Sequence, residues 1–246
     1  MTALRLEEAS KHYPGTTALD AVSLTFPADA ITAVIGPSGC GKSTLLKLLN
    51  GLEQPDGGRV IAFGEALDYG NLPPLRRRMG YAVQGTGLFP HLSARDNITL
   101  LAQLARWSDA DISTRLEALL ELSQLEATQL DRYPHQLSGG QQQRVGLCRA
   151  MMLKPEVLLL DEPFGAIDPI TRSDIQAQLL ALHRAEPRTT VLVTHDMAEA
   201  LKLADHLVIM AGGRIAHSEA KDSLLATHPG SDPETLLHQL LQEAQA

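Results

Sequence analysis

The stretch GPSGCGKST, residues 36–44, determines the fold expected for the rest of the chain. It fits the phosphate-binding pattern G-x-x-x-x-G-K-[ST], which requires a buried strand before it and a helix after it. The apolar, β-branched run 31–35 predicts that strand, and leucines at helical spacing over 45–49 predict the helix. Glycines allow a tight turn whose N–H groups face phosphate oxygens, and the helix N-terminus adds positive potential. We therefore expect a nucleotide site, in which Lys42 reaches the β- and γ-phosphates and the Ser43 hydroxyl binds Mg²⁺.

The composition of the 246 residues, 44% hydrophobic and 20% charged, is ordinary for a globular protein. The net charge of -8, from 21 basic and 29 acidic residues, argues against broad nucleic-acid binding. Two cysteines, Cys40 and Cys148, fit a reducing compartment. No uncharged apolar run approaches the roughly 18 residues that cross a bilayer, and the N-terminus lacks the apolar core of a signal peptide. We expect a cytosolic protein, with a reactive Cys40 thiolate beside Lys42 at the helix N-terminus.

Polar side chains also follow three other predicted strands. They are Gln84 after 79–83, Asp161 and Glu162 after 157–160, and His195 after 190–194. Parallel α/β sheets place their ligand contacts at these carboxyl ends. Asp161 suits Mg²⁺, and Glu162 is placed to accept a proton from an attacking water. Taken singly, Gln84 or the two carboxylates would be better explained as ordinary polar strand ends.

The remaining segments predict two further layers of structure. Short strand-like runs at 4–8, 21–26 and 31–35 predict a small antiparallel sheet before the nucleotide core, and leucines over 93–130 predict a helical subdomain. The Ser-Gly-Gly turn in LSGGQQQR, residues 137–144, opens a helix with N–H groups available to an anion. Tyr13 either stacks on an adenine ring or packs in the core, and the sequence favours neither. The basic run 76–78 predicts a solvated face.

With LSGGQQQR, VLLLDEP and His195 downstream of GPSGCGKST, the chain resembles the ATP-binding-cassette (ABC) ATPases from about residue 4 to 220. The resemblance implies an α/β P-loop NTPase core with a mostly parallel sheet and an N-terminal antiparallel β subdomain. An inserted α-helical subdomain, about 86–150, is expected to carry the signature LSGGQ. The ATPase domain is expected over 1–225 and a short helical tail over 226–246.

The resemblance also implies a role for each motif residue. Glu162 is the catalytic base, His195 and Gln84 complete the catalytic set, and Asp168 is the acidic residue of the following loop. Mg²⁺ is bound by Ser43, Gln84 and Asp161. ATP is bound by the stacking Tyr13, by the phosphate loop and by the signature of a second copy, that is by Gly36, Pro37, Ser38, Gly39, Cys40, Gly41, Lys42, Ser43 and Thr44 and by Ser138, Gly139, Gly140 and Gln141.

Partners are likewise implied by the resemblance: a head-to-tail homodimer, a membrane permease met by the loop after Gln84, and a solute-binding protein, with the chain peripheral on the inner face of the membrane. LFPHLSARDNI (88–98), EPFGAIDPITR (162–172) and VTHDMAEALKLADHLVIM (193–210) resemble importers of osmoprotectants such as glycine betaine and choline. The alternatives are an importer of another small solute, such as a polar amino acid, and a soluble ABC ATPase without a transport role. Residues 45–156 predict no long coiled coil and each nucleotide motif occurs once, which argues against the soluble type.

Overall fold

The computed structural model describes residues 4–83, 85, 87–165 and 167–245. The chain forms two compact units, one built from the residues up to 76 together with those from 188 onward, the other from 77–187. The architecture is α/β, with an antiparallel N-terminal sheet, as predicted. None of the helices in the described chain combines the length and apolar character needed to cross a bilayer.

The first unit opens with an antiparallel sheet. Up to residue 77 the elements are β1 (Leu4–Tyr13), β2 (Thr16–Phe26), β3 (Ile31–Ile35), α1 (Lys42–Leu49), β4 (Gly57–Ala62), β5 (Glu65–Ala66) and α2 (Pro73–Arg77). β1 and β2 form a hairpin around Pro14 and Gly15, β4 pairs with the other edge of β1, and β5 pairs with β4. β3 lies outside this sheet, and all five of its residues are buried.

The second unit contains a parallel strand pair and most of the helices. Its elements are β6 (Met79–Ala82), α3 (Ala94–Leu104), α4 (Asp109–Ser123), α5 (Gly139–Met151), β7 (Val157–Asp161) and α6 (Pro169–Ala185), with single 3₁₀ turns at Ala127–Gln129 and Pro134–Gln136. β6 and β7 pair in parallel from Met79↔Val157 to Ala82↔Leu160.

A buried ion pair ties the helices of this unit together. Arg115 of α4 is 4% exposed, and its guanidinium donates to both carboxylate oxygens of Glu186, which follows α6. The same guanidinium donates to the Met151 carbonyl at the end of α5, at 2.9 Å. One side chain of α4 therefore holds the C-terminal ends of α5 and α6.

The chain returns to the first unit to complete its main sheet. Here the elements are β8 (Thr189–Thr194), α7 (Met197–Leu203), β9 (His206–Ala211), β10 (Arg214–Ala220), α8 (Lys221–Thr227) and α9 (Pro233–Glu243). β3 lies between β8 and β9, parallel to both, and β10 is antiparallel to β9. Leu236 and Leu237 of α9 are buried in one core cluster with Ile35 and Ile209, so this C-terminal helix contributes to the core.

The basic run 76–78 is exposed, as expected, but two of its members also hold structure together. Arg76 donates to the Gly51 carbonyl at 2.9 Å and to the Asn50 carbonyl at 3.3 Å, where α1 ends. Arg78 donates to both carboxylate oxygens of Glu156, at 2.6 and 2.9 Å. The sequence of three consecutive arginines did not predict these hydrogen-bond partners.

Candidate nucleotide site

The loop 36–41 connects β3 to α1 and requires glycine at several positions. Gly39 and Gly41 have φ of +81° and +105°, which side chains other than glycine rarely adopt. A Cβ on Gly36 would lie 2.3 Å from the Met210 carbonyl oxygen, so no side chain fits there. The sequence pattern and the backbone geometry therefore agree on a tight loop at the end of a buried strand.

Lys42 places a buried cation inside this loop. It is 6% exposed, and its Nζ donates to the carbonyl oxygens of Gly36 at 2.8 Å and Pro37 at 2.9 Å. No carboxylate of the described chain pairs with it. Within the described residues, the backbone N–H groups of Gly39 and Gly41 also donate to no backbone carbonyl outside the regular elements. A cation and unbonded amides at a helix N-terminus fit an anion of phosphate size.

The expectation of a reactive Cys40 thiolate is wrong. Cys40 is 3% exposed, and its Sγ lies 3.8 Å from the Lys42 Nζ. Burial raises the pKa of the Cys40 thiol, and the Lys42 ammonium only partly opposes that rise. Desolvation of the thiolate outweighs one nearby cation, so the neutral thiol is favoured.

His195 lies at the same sheet edge as the phosphate loop. Ile35 and Thr194 are paired residues of the parallel strands β3 and β8, so Gly36 and His195 leave these strands side by side. The His195 side chain is exposed. The next residue, Asp196, caps α7 by accepting the Glu199 N–H at 3.0 Å, which fixes the backbone immediately after His195.

Tyr13 ends β1 at the tip of the hairpin and is 36% exposed, which excludes the alternative that it packs in the core. The Lys11 Nζ lies 5.7 Å from the centre of its ring. Lys11 is held in turn by the Gln54 carbonyl at 2.8 Å and the Asp56 carboxylate at 3.3 Å. Sequence reasoning missed Lys11, although its spacing of two residues from Tyr13 along a strand was an available signal.

In the second unit, Asp161 ends β7 and is 6% exposed. Glu162 follows with φ of +45°, a backbone conformation that costs energy in any residue except glycine. The sequence analysis also did not identify Tyr81 of β6 as a neighbour of this carboxylate. Burial raises the pKa of Tyr81 to about 12, and the negative charge of Asp161 adds to the rise. Gln84, predicted to contact Mg²⁺ and water, lies outside the described residues.

The signature residues form the capped N-terminus of α5. The Ser138 Oγ accepts the Gln141 N–H at 3.3 Å, and the Gln141 Oε1 accepts the Ser138 N–H at 2.9 Å. Ser138 and Gly139 are exposed, whereas Gly140 is buried. The sequence predicted the helix start but not this reciprocal capping box, which accounts for the glutamine three residues after the serine.

Asp168 caps α6 in the same unit. Its Oδ1 accepts the Thr171 N–H at 3.0 Å, and the hydrogen bonds from the Thr171 N–H and hydroxyl lower the pKa of the Asp168 carboxyl. The two capped helix starts are close together, because a Cβ on Gly140 would lie 2.3 Å from the Thr171 Cγ2.

Residues 19–165 match the family model described as ABC transporter. The chain belongs to the ABC transporter family. It is therefore an ABC ATPase, as its motifs predicted, and its phosphate loop, signature and Asp161–Glu162 pair all fall within the matched residues.

Several relatives of this ABC ATPase are named as subunits of import systems. It is 45% identical over 229 residues to the glycine betaine uptake system ATP-binding protein YehX of Escherichia coli, covering 93% of this chain and 74% of the relative. It is 44% identical over 223 residues to the glycine betaine/carnitine/choline transport ATP-binding protein OpuCA of Bacillus subtilis, covering 90% and 59%. It is 46% identical over 213 residues to the sulfate/thiosulfate import ATP-binding protein CysA of Mycolicibacterium paratuberculosis, covering 87% and 58%. The chain thus spans little more than half of two of these relatives.

Solved structures confirm the fold of this ABC ATPase. The dimeric structure of MJ0796, a bacterial ABC transporter cassette, matches with a TM-score of 0.80 and 31% identity, covering 88% of this chain and 98% of that one. The P-loop core and the inserted helical part predicted from the sequence are features of this cassette fold.

Proposed function

We propose that this chain is the ATP-hydrolysing subunit of an importer for osmoprotectants of the quaternary ammonium class. The observation that carries the ATP-dependent part is the phosphate cradle, where the buried Lys42 Nζ has, among the residues that the structure describes, hydrogen-bond partners only in carbonyl and thiol groups of its own loop. The glycine betaine and choline systems named among the relatives support the solute class.

In the proposed reaction, Lys42 and the loop amides bind the β- and γ-phosphates. The Glu162 carboxylate takes a proton from water as its oxygen attacks the γ-phosphorus, and the bond between that phosphorus and the β,γ-bridging oxygen breaks to give ADP and phosphate. His195, at the same sheet edge as the phosphate loop, contacts the γ-phosphate side. Gln84 is assigned its catalytic role by resemblance alone.

The donor set suits magnesium. The Ser43 hydroxyl and the Asp161 carboxylate are oxygen ligands, which Mg²⁺ prefers, and in nucleotide sites this ion takes its other ligands from phosphates and water. Over the described residues there is no cluster of three or more His, Cys, Asp or Glu arranged for a metal. When bound, the ion would neutralise charge that develops on the phosphate oxygens.

The adenine and the second copy account for the remaining site residues. Tyr13 offers an exposed aromatic ring for stacking, and Lys11 and its partners hold the hairpin tip. The Ser138 hydroxyl accepts a backbone N–H, so its own proton remains available to donate to a phosphate on the other subunit. We propose a head-to-tail homodimer in which each signature completes the partner's site, consistent with the dimeric cassette structure.

A permease, we propose, docks on the loop 87–92. Phe89 is 43% exposed, Pro90 is exposed and Leu88 is half-buried, which leaves an apolar surface on a chain without a membrane-spanning helix in its described part. Such a contact would hold the ATPase on the inner face of the membrane, beside a permease to which a solute-binding protein delivers the solute.

The Glu162→Gln variant tests the catalytic part. Hydrolysis should fall by about 10²–10⁴-fold, because the amide cannot accept the water proton. ATP binding should persist, because Lys42 is unchanged, and the variant should accumulate as an ATP-bound dimer in size-exclusion chromatography. Glu156→Gln is the matched control, since this exposed carboxylate precedes the same strand and pairs with Arg78. Parental turnover by Glu162→Gln would remove Glu162 from the mechanism.

Uptake by reconstituted vesicles tests the solute class. The affinity-tagged chain, purified with the membrane proteins that accompany it, should drive ATP-dependent uptake of radiolabelled glycine betaine or choline. Sulfate is the second candidate solute, because the sulfate/thiosulfate relative is as similar as the others. ATP-dependent uptake of sulfate without uptake of betaine would overturn the osmoprotectant assignment while leaving the import function intact.

A further inference from the structure

The backbone around Phe89 is fixed by one buried side chain. Asn97 of α3 is fully buried, its Oδ1 accepts the Phe89 N–H at 2.8 Å, and its Nδ2 lies 3.1 Å from the Phe89 carbonyl oxygen. The same Nδ2 lies 3.1 Å from the Leu92 carbonyl and 3.0 Å from the Ser93 carbonyl. One amide therefore holds both ends of the loop 89–93, so the exposed Phe89 ring is presented by a rigid backbone.

A second side chain joins this loop to α5. The Arg149 Nη1 donates to the Gly87 carbonyl at 2.9 Å, and its guanidinium carbon lies 5.8 Å from the centre of the Phe89 ring. The loop is close-packed at this contact, since a Cβ on Gly87 would lie 2.4 Å from the Val83 Cγ2. Burial lowers the pKa of Arg149, although not enough to discharge an arginine at neutral pH.

Arg149 and the signature lie at opposite ends of the same helix. Ser138 caps α5 at its start and Arg149 is in its last turn, about 17 Å away along the axis. The capped end is braced by a second glutamine, since the Gln142 Nε2 lies 3.0 Å from the Pro134 carbonyl and 3.2 Å from the Leu137 carbonyl. Because α5 is short and internally hydrogen-bonded, we expect it to move as one rigid body together with the segments bonded to its two ends.

We propose that Arg149 is a positioning residue that transmits movement of the signature end of α5 to the loop 87–92. This inference rests on the proposed function, because it assumes that ATP closes two copies around the signature and that the loop meets a permease. A shift of α5 moves the guanidinium, and the guanidinium pulls on the Gly87 carbonyl and the Phe89 ring together. Asn97 keeps the loop intact, so the ring moves without unfolding.

The variant Arg149→Met removes the donor and the charge but keeps a flexible, unbranched apolar stem. Arg144→Met is the matched control, because Arg144 lies on the same helix and donates to a loop carbonyl, that of Gln124, at 3.1 Å. Both are made in the Glu162→Gln background, which retains bound ATP. A fluorophore on a His91→Cys substitution reports the loop, because His91 is exposed and both native cysteines are buried.

We expect ATP to change the emission of the loop fluorophore in the Arg144→Met protein and to leave it unchanged in the Arg149→Met protein, although both form the ATP-bound dimer. In reconstituted vesicles with active Glu162, Arg149→Met should lower solute uptake per ATP hydrolysed by about tenfold, within the range of coupling between two sites. Arg149→Lys, which keeps the charge, should recover part of that loss.

The proposal would be overturned if Arg149→Met showed the same ATP-dependent change in emission as Arg144→Met and the same uptake per ATP hydrolysed as the parent protein. So would an equal loss in Arg144→Met, because the effect would then be one of general helix stability. A parent protein that neither hydrolyses ATP nor forms an ATP-bound dimer with Glu162→Gln would instead overturn the proposed function. The thermal midpoint separates a folding defect from lost coupling, since the proposal requires it to be the same in both arginine variants.

Discussion

Gly140 of the signature offers a sharp test of whether a motif residue is required for packing or for the nucleotide. In Gly140→Ala the new Cβ would lie 2.3 Å from the Thr171 Cγ2, well inside contact distance, and Thr171 is a stiff β-branched residue. Overpacking of this kind costs about 1–3 kcal/mol, and the short distance favours the upper half of that range. Alanine recovers up to about 1 kcal/mol through its higher helix propensity. We expect a net loss of about 1–2 kcal/mol, or about 2–8 °C in thermal midpoint.

Thr171→Ser should reverse the sign of this effect. Serine lacks the Cγ2 but keeps the hydroxyl that bonds Asp168, and the next atoms around the new Cβ lie at 3.7 and 3.8 Å, ordinary contact distances. In this background Gly140→Ala should be neutral or stabilise by up to about 1 kcal/mol. The coupling energy of the double-mutant cycle should be about 1–3 kcal/mol.

Thermal unfolding and ATP turnover of the four proteins check this reasoning. Because the Cβ is directed at Thr171 within the same unit, we expect the double variant to recover turnover together with stability. A double variant as unstable as Gly140→Ala alone would refute the steric account. Recovered stability with turnover still lost would show that Gly140 is needed for close approach of the nucleotide.

Three further predictions concern stability, thiol chemistry and assembly. Arg115→Met should lower the unfolding free energy by about 2–3 kcal/mol and the midpoint by about 5–10 °C, because it removes the buried cation that pairs with the partly buried Glu186 carboxylate. Arg214→Met, at a pair that is 73% and 41% exposed, should cost less than about 1 kcal/mol, and equal midpoints for the two variants would contradict this reasoning. Burial raises the pKa of Cys40 and raises that of Cys148 to about 11, so both thiols should react slowly with maleimide at pH 7. As the pH rises, the labelling rate of Cys40 should increase first. Rapid labelling of either cysteine at pH 7, measured by mass spectrometry, would contradict this prediction. Ile170→Asp should weaken the ATP-bound dimer in size-exclusion chromatography without lowering the thermal midpoint. Ile170 is 78% exposed and precedes Thr171, which lies against Gly140 of the signature, the part of the chain that meets the second copy in the proposed dimer. A lower midpoint would show instead that Ile170 packs in the fold.

The phosphate loop could be predicted from the sequence because its chemistry is a property of local backbone. Gly39 and Gly41 adopt conformations that glycine alone adopts readily, and Lys42 follows at a fixed distance along the chain. The signature helix start was predicted from the local Ser-Gly-Gly turn, and the serine and glutamine three residues apart, which satisfy each other's backbone, were a second local signal that went unused. Such features need no information from distant parts of the chain.

Contacts made by single long side chains could not be predicted. Arg115 meets Glu186 across 71 positions, and Arg149 meets Gly87 across 62, with no periodicity linking either pair. Asn97 reads as an ordinary polar residue in a helix, yet it is fully buried because it replaces the missing backbone partners of a loop. The Cys40 thiolate was predicted wrongly because a sequence shows the neighbouring cation but not the burial that opposes it.

Similarity within the ATPase does not identify the solute, because it concerns the ATP-binding part of the import system. The relatives are all named as ATP-binding proteins, and a sulfate/thiosulfate import protein is as similar to this chain as the two glycine betaine proteins are. In the proposed complex, solute selection acts through the permease at the loop 87–92, where exposed Phe89 is held by Asn97 and Arg149 rather than by the phosphate site. We therefore expect substitutions at Phe89 to weaken the proposed permease contact without changing hydrolysis by the isolated chain. If the proposed contact is correct, the purified complex contains the permease that selects the solute, and its uptake of betaine or of sulfate in vesicles discriminates between the two.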